Sequence, residues 1–326
     1  MRQPDRPAAP AVLSVTDQRI VAALQCDGRA PAERIASVLG LGVRDVQRRI
    51  RTLAADGTAR VVARPPLPPD TGGVLLRVKV LRGRLDQITA ALAARDDIPF
   101  VDVSAAGDEI SAVQLTREDR PGNRLLFQQL PATSAVTSVE AQTVLHLFGD
   151  AAGWRLDRLT TAERSALTPP GAPRPSSAAE PFDNTDAALA QLLAEDGRTT
   201  AAAAAARTGH PESTVRRRIT RLLGEGRLRL EVVTDPRRLG LRVDANVSLQ
   251  LPPDRLDAAG RALAAHPAVH GVMATTGRSN LSAALWLADH EALYRFLSRD
   301  LTGLGVTAVE TFLVGRAVKR PGHAAA

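Results

Sequence analysis

The feature that most limits what this 326-residue chain can become is an ungapped internal repeat at an offset of 169 residues, the separation of Arg48 and Arg217. Thr16-Asp17 recurs as Thr185-Asp186, Leu24 as Leu193, and Asp27-Gly28-Arg29 as Asp196-Gly197-Arg198. Arg48-Arg49-Ile50 recurs as Arg217-Arg218-Ile219, Leu53 as Leu222 and Gly57 as Gly226. A match held in register over such a span is the mark of a duplicated module, not of a chance echo. Two copies of roughly 150 residues also fit the usual size of a domain.

Hydrophobic spacing gives each copy the same plan. Residues 1–11 are Pro- and Ala-rich and are expected to be disordered. Ile20 and Leu24 mark a first helix capped by Thr16 or Asp17, broken at Asp27-Gly28-Arg29. Ala32 to Leu39 and Val43 to Ala55 follow as helices, and Thr58 to Arg64 as a strand or wing. In the second copy a helix capped by Asp183 carries Leu189, Leu192 and Leu193, and another runs from Thr199 or Thr200 to Arg207. Gly209 then turns the chain into a third helix. There Val215, Ile219 and Leu222 form one apolar stripe, with Ser213 able to cap and Gly224 or Gly226 able to end it. Three short helices and a strand make a winged helix-turn-helix.

Behind each such module the spacing predicts strand, helix, two strands, helix, strand. The first set is Val74–Leu81, Leu85–Ala94, Phe100–Ala105, Ile110–Leu115, Asn123–Leu130 and Val136–Phe148. The second is Val243–Leu251, Leu256–Ala265, Val269–Ala274, Leu281–Ala288, His290–Leu301 and Val306–Val318. This is the split βαββαβ order of ferredoxin-like folds. The expected class is therefore α+β: two tandem copies of a winged helix-turn-helix followed by a ferredoxin-like domain. The expected boundaries are 12–64, 72–150, a Pro-rich linker over 151–182 (with helical turns at Thr161–Leu167), 183–234 and 241–320.

The outward faces of the third helices carry the chemistry. Arg44, Arg48 and Arg51 stand on the first, flanked by Gln47; Ser213, Arg216, Arg217 and Thr220 stand on the second, flanked by Thr214. Arginine bridges guanine O6 and N7, and hydroxyls take base edges or phosphate, so double-stranded DNA is the expected partner. Arg49 and Arg218 border the buried stripe, where pairing with an acidic neighbour and reaching phosphate are equally open, and they are left out of the contact set. Arg60 and Arg229 on the wings are candidate phosphate contacts. The net charge of +7 agrees, and Lys79 and Lys319 are the only lysines. A GC-rich genome would also write arginine for lysine, so the positions of the arginines weigh more than their number.

Cys26 is alone, which leaves no disulfide framework and no cysteine metal site. No apolar run approaches the roughly 20 residues a bilayer span needs, and no secretory segment follows Met1, so a cytoplasmic location is expected. The six histidines, His146, His210, His266, His270, His290 and His323, show no metal spacing, and Pro267 separates His266 from His270. With no nucleophile–base signature and no phosphate loop, neither enzyme activity nor a cofactor is expected.

An N-terminal winged helix-turn-helix followed by βαββαβ resembles the Lrp/AsnC (feast/famine) family of prokaryotic transcriptional regulators. The residues that carry the resemblance are Asp186, Leu189, Leu193, Ser213 to Ile219, Leu222, Glu225-Gly226 and the hinge-like Asp235 to Leu241. The first copy contributes Asp17, Val46, Arg48-Arg49-Ile50, Leu53 and Asp56-Gly57. The resemblance implies pairing through the βαββαβ sheets facing each other, so that a tandem copy is a dimer written as one chain, able to assemble further. It also implies an effector pocket at a loop of Thr-Gly-x-x-Asp type. Thr275, Thr276, Gly277 and Asn280 are similar to that loop, with Asn280 in the acidic position, and Gly107 and Asp108 stand in the shorter first-copy loop. A small effector, an amino acid or related metabolite, is the expectation. Two rival readings share the plan: an enzyme similar to sirohaem decarboxylases, using His146, His266 or His270, and an effector-independent nucleoid-architecture protein.

Overall fold

The computed structural model describes residues 10–68, 71–117, 125–130, 132–171 and 182–321. The expected disorder of residues 1–9, residues 172–181 of the expected linker, the first residues of the helix expected from Asn123 and His323 lie outside the described residues. The chain forms two compact units, residues 1–67 with 155–240 and residues 68–154 with 241–326. The duplicated halves are thus regrouped: both helix-turn-helix modules fall in one unit and both βαββαβ halves in the other.

In the first unit the leading module comprises α1 (Val15–Cys26), α2 (Ala32–Leu39), α3 (Val43–Ala55) and β1 (Ala59–Arg64). Its core is Ile20, Val21, Ile35 and Val46, all fully buried. Ser14 rather than Thr16 or Asp17 caps α1, its hydroxyl accepting from the Asp17 amide. Residues 151–182 were expected to be a linker with helical turns at Thr161–Leu167, but residues 155–167 are packed instead, whereas 168–171 are exposed. A helix over Thr161–Leu167, closed by a Thr160/Glu163 capping box, sits on α1 and α2 with Leu167 fully buried. Leu156 and Leu159 are buried beside it, and Arg34 donates to the Ala166 carbonyl at 2.7 Å. That helix is α5 in chain order, since the helix Leu85–Ala93 of the other unit (α4) precedes it.

The second module comprises α6 (Asn184–Glu195), α7 (Ala201–Thr208), α8 (Glu212–Gly224) and β6 (Arg229–Thr234) around Leu189, Leu193, Val215 and Leu222. Asp183 and Thr200 cap α6 and α7 as expected. Ser213 does not cap α8: the helix begins one residue before it, with Pro211 at the capping position and no side-chain bond there. Gly40 and Gly209 end α2 and α7 in the left-handed region, at φ 68° and 71°. The strands expected as separate wings pair with each other, β1 antiparallel to β6 from Ala59↔Thr234 to Arg64↔Arg229.

The other unit is built from β2 (Thr71–Val80), α4 (Leu85–Ala93), β3 (Phe100–Ser104), β4 (Glu109–Arg117) and β5 (Val136–Gly149). The second half supplies β7 (Val243–Gln250), α9 (Leu256–Ala264), β8 (Val269–Thr275), β9 (Leu281–Leu287), α10 (His290–Arg295) and β10 (Ala308–Lys319). Where the helix from Asn123 was expected, the described residues hold a single π turn, Leu125–Gln129. Alternation puts Leu76, Val78 and Ile110, or Val247, Leu249 and Ala283, against the helices. The two four-stranded sheets do not merely face each other. They join strand to strand through β5·β8 and β10·β3 into one closed barrel of order β10-β3-β4-β2-β5-β8-β9-β7.

Candidate nucleic-acid interface

Helix α8 buries Val215, Ile219 and Leu222 and therefore turns Ser213, Arg216, Arg217 and Thr220 outward, all exposed. With Glu212 these four line a shallow open depression, and Thr214 is half-buried at its side. Because Ser213 is not spent on the cap, its hydroxyl stays on the outward face. On α3, Val46 and Leu53 point inward, while Arg44, Gln47, Arg48 and Arg51 are exposed. The nine expected contact residues thus stand on the solvent side of two helices, eight exposed and Thr214 half-buried.

The remaining arginines hold the scaffold. Arg49 donates to Asp17 and Asp45, both at 2.8 Å, and Arg218 to Asp183 at 2.6 Å and Asp186 at 2.8 Å. Asp186 is 2% exposed and also receives Arg221 at 2.6 Å and Arg227 at 3.4 Å. The Arg49 hydrogen bond holds Asp45 below the usual carboxylate range, and the Asp186 amide followed by Arg218 does the same for Asp183. On the outward faces Arg48 pairs with Asp45, Arg216 with Glu212 and Gln47 with Glu33. Arg44 and Arg217 have no ion-pair partner among the described residues.

The two modules grip each other through a motif that sequence reading took only for a helix breaker. Asp27 and Asp196 each accept the amide two residues on, from Arg29 and Arg198. The loop so formed aims the arginine at the opposite copy. Arg29 donates to the carbonyls of Gly197 (2.6 Å) and Thr199 (3.0 Å), and Arg198 to those of Gly28 (2.6 Å) and Ala30 (3.0 Å). A Cβ on Gly28 would lie 2.8 Å from the Val61 side chain, and one on Gly197 3.0 Å from the Val62 backbone. Close approach is therefore what demands glycine at both positions. The repeat of Asp-Gly-Arg itself was the available signal.

The loops expected to hold an effector are in the barrel unit. Thr275 is 2% exposed and its hydroxyl donates to the Ser279 carbonyl at 3.1 Å. Both ends of the Asn280 amide are spent on Leu251, whose N–H it accepts and whose carbonyl it bonds at 2.8 Å. Thr276 accepts the Thr143 amide and donates its own N–H to the Thr143 carbonyl, both at 2.9 Å. Gly277 has φ 105° and abuts Gln142. In the first-copy loop the Ser104 hydroxyl receives the amides of Gly107, Asp108 and Glu109 and donates to the Asp108 carboxylate. Thr275, Asn280 and Asp108 thus shape their own turns, Thr276 ties its loop to Thr143, and Gly277 and Gly107 contribute backbone alone.

The histidines of the barrel unit are scattered. His146 is exposed and meets Phe148 edge-on, and His266 lies 3.4 Å from Asp300. His270 stacks on Trp286 at 3.7 Å, and burial holds it neutral, its pKa well below the usual histidine value. Trp286 donates to Asp244 at 3.3 Å, and Arg320 bridges Asp244 and Asp102, each at 2.8 Å. Burial pushes both carboxyls up, Asp244 to about 6.

Comparison with known proteins agrees with these modules. The AsnC-type helix-turn-helix domain profile matches residues 13–54 and again 182–223, and the Lrp/AsnC ligand binding domain profile matches residues 244–323. An uncharacterized HTH-type transcriptional regulator of Pyrococcus horikoshii is 30% identical over 152 residues, 46% of this chain and 96% of that protein. One of Pyrococcus abyssi is 30% identical over 145 residues, 44% of this chain and 91% of its own. Among solved structures, the sirohaem decarboxylase NirDL in complex with an iron-uroporphyrin III analogue has a TM-score of 0.58, covering 94% of this chain and 93% of its own at 15% identity. At that identity the likeness is one of fold.

Proposed function

Because the chain belongs to the Lrp/AsnC family of transcriptional regulators, we propose that it binds double-stranded DNA sequence-specifically as a pseudodimer written in one chain. Residues 12–64 and 183–234 are the DNA-binding modules in this reading, and 72–150 with 241–320 the effector and pairing domains. The observation that carries it is the pair of exposed, arginine-bearing faces on α3 and α8, held in one interlocked unit. Arg44, Arg48, Arg51, Ser213, Arg216, Arg217 and Thr220 meet DNA, with Gln47 and Thr214 beside them. An amino acid or related small metabolite binds near Thr276 and Gly277 and acts by preferring one arrangement of the chain over another, since equal affinity would shift nothing. Self-association into higher oligomers and a cytoplasmic location belong to the same reading. No helix among the described residues is long and apolar enough to cross a membrane.

The test is binding to DNA from the protein's own gene neighbourhood against random DNA of equal length, at two salt concentrations, with Arg217→Ala as control. Preference for the local DNA, weakened by the substitution, supports the reading; equal affinity for both favours the nucleoid-architecture alternative. Absence of binding at low salt sinks it and brings forward the sirohaem-decarboxylase-like reading, which rests on the whole-chain likeness of fold. That reading predicts tetrapyrrole binding, visible as a Soret-type band.

A further inference from the structure

We propose that the protein reads a non-palindromic operator: two unequal half-sites at one fixed spacing, one for α3 and one for α8. This rests on the DNA-binding reading above. A dimer of identical chains presents the same recognition face twice and so favours a palindrome. This chain presents each face once. At the four outward positions Arg44, Gln47, Arg48 and Arg51 correspond to Ser213, Arg216, Arg217 and Thr220, and only the third pair is the same residue. The common element of the two half-sites is then a guanine read by Arg48 or Arg217, and the flanking bases differ.

The faces also differ in which arginine is held from within. Asp45 holds Arg48 on α3, whereas the residue corresponding to Asp45 in α8 is Thr214 and there Glu212 holds Arg216 instead, so that Arg217 has no carboxylate partner among the described residues. The one arginine common to both faces is thus paired on α3 and unpaired on α8, while the flanking positions differ in residue type. The spacing is held by the β1–β6 ladder and by the four arginine–carbonyl bonds of Arg29 and Arg198, which tie both modules into one body.

The experiment selects binding sites for the full chain from random-sequence duplexes, then titrates the selected site against two palindromes, each made from one of its halves. The expected result is an asymmetric consensus that binds about ten-fold or more tighter than either palindrome, as expected for one or two mismatched base pairs. A variant carrying Arg44→Ser, Gln47→Arg and Arg51→Thr gives α3 the outward set of α8. Its preference should move to the α8 palindrome, and as all three residues are exposed its fold should be unchanged by circular dichroism. Selection of a palindrome with equal halves, or no shift in the variant, overturns the inference while leaving sequence-specific binding intact. Tight binding without any enriched sequence overturns the DNA-reading proposal itself, and this one with it.

Discussion

Arg29 and Arg198 occupy equivalent places in the two copies, and each donates two hydrogen bonds to backbone carbonyls of the other's loop, at 2.6 and 3.0 Å. The exchange is reciprocal, so neither module is the host of the other. Hydrogen bonds to a charged group contribute about 1.5–3 kcal/mol. Arg29→Ala or Arg198→Ala should each destabilise the chain by roughly 2 kcal/mol in urea unfolding. The double variant should fall short of the sum, because the first loss already loosens the second contact. Strict additivity would mean that the two sites act independently.

The glycines of the same loops give a sharper test. A methyl group at Gly28 meets a side chain, Val61, whereas one at Gly197 meets the backbone of Val62, which yields less readily. Gly197→Ala should therefore cost more than Gly28→Ala, both within about 1–3 kcal/mol. Gly40→Ala is strained for another reason, its φ of 68°, in otherwise open space. Its effect should stay within α2 and leave the contact between modules intact.

Neighbouring arginines on α8 should give opposite readouts. Arg217→Ala should weaken specific DNA binding by about 1–3 kcal/mol and relax base preference at one position, with little change in stability. Arg218→Ala removes the partner of Asp183 and one partner of the buried Asp186 and should lower stability while leaving base preference alone. Titrations and urea melts of the two variants separate the roles, and a shared phenotype would contradict the division.

The barrel unit should carry a pH signature. Burial raises the carboxyl of Asp244 from 3.8 to about 6, so the native state binds that proton more tightly than the unfolded chain does. The stabilisation is fully present below the unfolded value and is lost as pH rises through about 6. The groups facing this carboxylate are Arg320, Asp102 and the Trp286 ring N–H. Asp244→Asn removes the titration and can keep the contacts. The stability of the natural chain relative to this variant should fall by up to about 3 kcal/mol between about pH 4 and 7. A flat difference would show that Asp244 does not titrate in that range.

Much of this was legible because it is local. The amphipathic stripes and the left-handed glycines bounded α2 at Ala32–Leu39 and α3 at Val43–Ala55, as the spacing predicts. The exposure of Arg44, Arg48 and Arg217 followed from the burial of Val46 and Val215 alone. What escaped depends on distant partners. Three residues near the start of α1 could cap it, and Ser14 does, beside Leu13, whose amide bonds the Arg238 carbonyl far along the chain. Trp154, Leu156 and Leu159 are buried, yet they follow neither the helical nor the strand period before a Pro-rich stretch, and so read as linker. Thr275 and Asn280 fit a ligand loop by type, but only the fold reveals that Ser279 and Leu251 already occupy them.

Closure of the barrel has one more consequence. An open sheet ends in strands whose outer N–H and C=O groups stay unpaired and invite addition of a strand from another molecule. In each βαββαβ half those would be β3 and β5, or β8 and β10, and here they are spent on one another within the same chain. Two molecules therefore cannot lengthen this sheet by docking strand against strand without first prying a seam open. Association through this unit must instead use its helices, its loops or side chains projecting from the strands. Duplication has thus turned the surface by which separate copies would recognise each other into an internal joint, formed at the same rate however dilute the protein is.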